Sequence, residues 1–149
     1  MTYSIGEIAD LLGVAPSTIR FYDKKGMLPF LARSNGGIRR FTDTDYEWLK
    51  IIECLKSTGM PLSDIKNYIY MALEGDSTLK ARHELIKKQR EAISKQLAEF
   101  EEMRDILDYK NWYYETSVAA GTNSIHADDT AEKIPEQFRA AYLKLRNKK

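Results

Sequence analysis

The sequence predicts a mainly α fold in which short helices around one tight ribbon lead into a single long helix and then a short C-terminal one. Three observations predict it. Apolar residues recur at three- and four-residue spacing between Gly and Pro stops. Asn35-Gly36 marks one hairpin turn beside two short helices. From Thr78 to about Tyr114 there is neither Gly nor Pro, while Leu79, Ile86, Ile93, Phe100, Leu107 and Tyr114 return every seven residues.

Taken in order, Ser4-Ile5-Gly6-Glu7 has the spacing of a capping box, and Ile5, Ile8, Leu11 and Leu12 give the first helix its apolar face. Gly13 suits the left-handed residue that ends it. Pro16 falls at the first position of a second helix, expected to Lys25, with Ile19 and Tyr22 inward and Gly26 as its stop. Two such helices joined by a short turn read as a helix-turn-helix. Arg33, Arg39 and Arg40 bracket the Asn35-Gly36 turn, so the ribbon reads either as an arginine-tipped wing or as a surface loop with solvated cations. Thr42-Asp43-Thr44-Asp45 caps a third helix carrying Tyr46, Leu49, Ile52 and Leu55, which Gly59 ends. Pro61 to Gly75 frames a fourth, with Ile65, Tyr68, Ile69 and Ala72.

The long fifth helix has one apolar stripe, partly supplemented by Leu97, Met103 and Ile106, and must bury it on a partner. A coiled-coil homodimer is expected; an intrachain helical hairpin is the alternative. Residues 115–134 are polar and read as a linker. Phe138, Ala141, Tyr142 and Leu145 predict an amphipathic helix from Pro135 to Arg146 that docks back on the body. The expected division is 1–75 for the wing-bearing unit, 76–114 for the coiled-coil helix, and 115–149 for linker and last helix.

The 149 residues are 43% hydrophobic, enough for one modest core plus an extended element. The net charge of +1 excludes a uniformly basic coat but hides a local bias. Residues 1–41 hold six basic and three acidic residues, and residues 42–76 three basic and seven acidic. A basic unit beside an acidic patch is what nucleic-acid binding through one face requires. One cysteine excludes an intrachain disulfide or a cysteine-cluster metal site. No apolar run approaches the ~20 residues of a membrane span, so a cytoplasmic location without membrane contact is expected.

Ser17-Thr18-Ile19-Arg20-Phe21-Tyr22-Asp23-Lys24-Lys25-Gly26-Met27-Leu28-Pro29, followed by Gly36-Gly37-Ile38-Arg39-Arg40-Phe41-Thr42-Asp43-Thr44-Asp45, resembles the signature of the MerR family of transcriptional regulators. Tyr3 to Ala9 and the Gly59-Met60-Pro61-Leu62-Ser63-Asp64-Ile65 junction match in the same order. The resemblance spans residues 2 to about 114. It implies a winged helix-turn-helix DNA-binding domain, a homodimer through an antiparallel coiled coil, and a near-palindromic operator in double-stranded promoter DNA. The family's activators bend and untwist that DNA, and so act on RNA polymerase indirectly.

On this resemblance, Ser17, Thr18, Arg20, Tyr22 and Lys24 of the second helix, with Arg33, Arg39 and Arg40 of the wing, are the expected DNA contacts. Arg20 suits bidentate contact to guanine or phosphate. Tyr22 matches a phosphate-contacting tyrosine and equally fits core packing. Two departures stand out: Ile38 where the family usually has Tyr, and Phe21 where it often has Tyr.

The stretch around Cys54 resembles the single-cysteine, thiol- and aldehyde-responsive branch, in which such a cysteine is the proposed sensor. The thiolate would meet electrophiles, oxidants or nitrosating agents, with Lys50 one turn away able to lower its pKa if it points there. The other reading of Cys54 is buried filler. Residues 76–149 contain no cysteine, and His83, His126, Asp128 and Asp129 would have to converge from separate segments, so neither metal nor cofactor is expected. Tyr109, Trp112, Tyr113 and Tyr114 read either as a small apolar ligand site at a dimer interface or as packing. Two competing classes remain. A coiled-coil interaction protein would leave the helix-turn-helix incidental. An enzyme is not expected, because no paired catalytic cluster, HExxH or phosphate-cradling loop appears.

Overall fold

In the computed structural model, residues 1–32 and 40–147 are described. Arg33, the predicted Asn35-Gly36 turn, Ile38 and Arg39 therefore lie outside the described residues. The order is β1 (Thr2–Tyr3), α1 (Ile5–Leu12), α2 (Pro16–Lys24), β2 (Phe41–Thr42), α3 (Asp43–Ser57), α4 (Leu62–Glu74), α5 (Leu79–Ala120) and α6 (Glu136–Arg146), with short 3-10 turns at Asp76–Thr78 and Asn123–His126. Two compact units form, Met1–Glu91 and Ala92–Lys149, and α5 contributes residues to both.

The local signals act as read. Ser4 accepts from the Glu7 amide at 3.3 Å while the Ser4 amide donates to the Glu7 carboxylate at 2.7 Å. Hydrogen bonding to that carboxylate from the Ser4 backbone and then the Ser4 side chain, followed by the Arg40 charge, holds the Glu7 carboxyl below its ordinary range. Thr42 and Asp45 repeat the box at the head of α3. Gly13 closes α1 at φ 67°.

In the first unit, β1 and β2 pair antiparallel with Tyr3 opposite Phe41, so the residue that ends the ribbon is tied to the strand before α1. The core beneath holds Ile8, Ile19, Tyr22, Met27, Phe41, Leu49, Ile52, Ile65 and Ile69, drawn from every helix of α1–α4. Leu85 of α5 packs against it, and Gln89 Nε2 donates to the Thr58 carbonyl at 2.7 Å. The first turns of α5 thus belong to this unit, which is why its edge lies past residue 75.

The second unit departs from the expected linker. α5 continues to Ala120, because the Thr116 and Ser117 hydroxyls bond back to carbonyls three or four residues earlier and keep these polar residues inside the helix. Gly121, at φ 71°, ends it. Residues after it fold back: Ile134 is only 1% exposed, and Tyr109, Ala141 and Tyr142 are buried with it, with Ile106, Trp112 and Phe138 packed around them. Ile106 and Trp112 are therefore covered by their own chain. No helix among the described residues is long and apolar enough to cross a membrane.

Candidate nucleic-acid interface

The sequence of α2 divides its faces. Ile19 and Tyr22 point into the core, while Ser17, Arg20 and Lys24, at i, i+3 and i+7, share an exposed face. Thr18 is half-buried, Phe21 is 40% exposed, and Arg40 is exposed at the described edge of the wing segment. The helix-turn-helix thus places four of the expected contact residues, Ser17, Thr18, Arg20 and Lys24, on or beside one open surface.

Tyr22 sits differently. Its ring is 1% exposed, its hydroxyl donates to Glu53 Oε1 at 2.5 Å, and Lys56 Nζ donates to that hydroxyl at 2.8 Å. Burial first, and then the bond to Glu53, push the hydroxyl well above the usual tyrosine range. The ring is core, and the hydroxyl is tied to α3.

The same geometry brings in cations that the sequence did not single out. Lys56 lines a depression with Ser17, Thr18, Phe21, Tyr22 and Leu62. Beside it, Lys25 and Lys66 flank an apolar floor of Met27 and Leu62. Lys66 Nζ and the Tyr70 hydroxyl donate to the Lys25 and Gly26 carbonyls at 3.1 and 3.2 Å, tying the turn that follows α2 to α4. Gly26 is at φ 67°, and a Cβ there would lie 3.2 Å from Lys66 Nζ. Lys56 and Lys66 stand more than thirty residues from α2, so no local sequence signal could have marked them.

Cys54 is exposed on α3, which removes the buried-filler reading. Lys50 does not serve as its cation: its Nζ is 2.6 Å from Glu47 Oε1 and lies over the Tyr46 ring at 4.9 Å. Among the described residues no group of three or more His, Cys, Asp or Glu side chains could hold a metal ion.

Residues 3–72 match the profile of the MerR HTH family regulatory proteins, and residues 46–109 match that described as MerR, DNA binding. An HTH-type transcriptional regulator of Haemophilus influenzae is 41% identical over 122 residues, covering 82% of this chain and 90% of its own length. This chain belongs to the MerR family. Two crystal structures extend the likeness of this MerR regulator to three dimensions. HiNmlR, a MerR family regulator lacking the sensor domain and bound to promoter DNA, is 38% identical with a TM-score of 0.67, over 91% of this chain and 98% of its own. A MerR family regulator from Bacillus thuringiensis is 38% identical with a TM-score of 0.63, over 74% of this chain and 96% of its own. The relatives are transcriptional regulators, not enzymes.

Proposed function

We propose that the protein acts as a homodimer that grips a near-palindromic promoter operator and distorts it to control transcription. The observation that carries this is the exposed Ser17–Arg20–Lys24 face on a helix locked from behind by Tyr22, Glu53 and Lys56. Side chains that must meet base edges need such a rigid platform. The relative crystallised on promoter DNA supports the same partner here. Thr18, Arg33, Tyr22, Arg39 and Arg40 remain proposed contacts, Tyr22 from the depression it lines with Thr18 and Lys56.

Two half-sites one helical turn apart need two heads. The side chains that would join them are Leu79, Ile86, Ile93, Phe100, Leu107 and Tyr114, each between 38% and 67% exposed in the single chain. A titration of the protein on its own upstream region by gel shift tests the reading. Binding should show sequence preference and fall steeply with salt. Arg20→Ala should weaken it by about 1–3 kcal/mol, and unchanged binding contradicts the assignment. Binding with neither sequence preference nor salt dependence would favour the coiled-coil interaction protein.

The exposure of Cys54 supports its role as the point where electrophiles, oxidants or nitrosating agents act. An adduct there adds bulk or charge on α3, the helix that holds Tyr22 of α2. Re-aiming the reading face would alter DNA distortion more than affinity. In transcription from the cognate promoter with and without an aldehyde, Cys54→Ala should keep DNA binding and lose the response. A full response in that variant moves sensing elsewhere.

A further inference from the structure

The second unit contains a cleft that DNA binding does not use. It is lined by Tyr109, Lys110 and Tyr113 of α5, by His126 and Asp129 of the returning segment, and by Tyr142, Leu145 and Arg146 of α6. Its volume is about 230 Å³, below the ~300–1,000 Å³ of pockets for drug-sized ligands, so it accommodates a compound of about one ring.

The walls are fixed in advance. His126 stacks on Tyr113 with centroids 4.1 Å apart, and Tyr142 meets Tyr109 edge-on at 5.9 Å. The Tyr142 hydroxyl donates to the Asp129 carbonyl at 2.7 Å. His126, with its side chain 6% exposed, lies with Nδ1 2.8 Å from the Asp129 carboxylate and Nε2 2.8 Å from the Thr116 hydroxyl. Nδ1 faces the Asp129 carboxylate and donates to it, while Nε2 also lies 3.2 Å from the Tyr113 carbonyl, so the ring is held from both sides.

The cleft's remaining charge is positive. Lys110 Nζ sits 5.4 Å from the Tyr113 centroid, and the Arg146 guanidinium 5.2 Å from that of Tyr142. Among the described residues neither has an acidic partner. Burial, and then the Asp129 charge, raise the Tyr109 hydroxyl above its ordinary range, so it stays a donor. Flat faces, a donor and two unpaired cations suit one chemistry.

We propose that this cleft binds a small planar organic anion, a one-ring aromatic carboxylate, with its ring against the tyrosines and its carboxylate paired with Lys110 and Arg146. The proposal is independent of how the protein reads DNA, because its readout is binding itself. Calorimetric titration of the full chain with benzoate should saturate at one per chain. Cyclohexanecarboxylate, charged but not flat, and benzamide, flat but uncharged, should each bind about tenfold more weakly, a loss of about 1.4 kcal/mol. Lys110→Gln and Arg146→Gln should each cost about tenfold, and Arg146→Lys should restore most of the loss. Both residues are exposed, and unchanged circular dichroism verifies the fold. Absence of saturation, equal binding of inorganic phosphate, or undiminished affinity in the double Gln variant overturns the proposal.

Discussion

Tyr22 shows how one side chain serves two neighbours at once. Its ring fills the core, and its hydroxyl sits between Glu53 and Lys56, so α2 cannot roll without breaking that chain of bonds. Tyr22→Phe keeps the ring and should cost about 1 kcal/mol in a denaturant melt. The pH dependence follows from the direction of the shift. A tyrosine whose folded pKa is raised contributes stability that is complete below its unfolded pKa of about 10. That contribution is lost as pH rises from there toward the folded value. The wild type should therefore lose stability above pH ~10 more steeply than Tyr22→Phe, and identical alkaline limbs would refute this account of the hydroxyl. At this scale the sequence was legible for caps and stops. Ser4, Gly13, Thr42 and Gly59 act through bonds to residues a few positions away. Glu53 and Lys56 were not legible as partners of Tyr22, because 31 and 34 residues of chain intervene.

At the scale of elements, α5 carries two different faces. One holds Ile106, Tyr109 and Trp112 and is covered by α6. The other holds Phe100, Leu107 and Tyr114 at 59–67% exposure and is uncovered. The heptad spacing marked the second face correctly as unpartnered within the chain, but no local pattern showed where on the body α6 would dock. Tyr109, Trp112, Tyr113 and Tyr114 of α5 read equally as a ligand site at a dimer interface or as packing. α6 lies on the first face because Phe138, Ala141 and Tyr142 share a helical stripe that fits the aromatic rows at Tyr109 and Trp112. If a second chain covers the exposed stripe, Phe100→Glu should remove about 2 kcal/mol of apolar burial per chain. Sedimentation should then show a monomer where the parent protein is dimeric. A variant that sediments like the parent would place the dimer seam elsewhere.

For the whole molecule, the proposed homodimer would make folding and association one equilibrium. A protein stabilised by self-association melts at a temperature that rises with its own concentration. A hundredfold increase in concentration should raise Tm measurably in calorimetry, and a constant Tm would mean that the single chain is the stable species. The sequence by itself determined the helices, the caps of α1 and α3, the stops of α1 to α4 and the order of motifs that marks a MerR regulator. Each of those rests on interactions within a few residues or on a pattern along one helix. Only the tertiary structure decided that Lys56 and Lys66 stand beside α2, that Cys54 faces solvent while Lys50 pairs with Glu47, and that residues 121–146 wrap the end of α5 around His126 and Asp129. Those are encounters between segments far apart along the chain. Their geometry is set by how side-chain volumes fill a shared core, which no local pattern encodes.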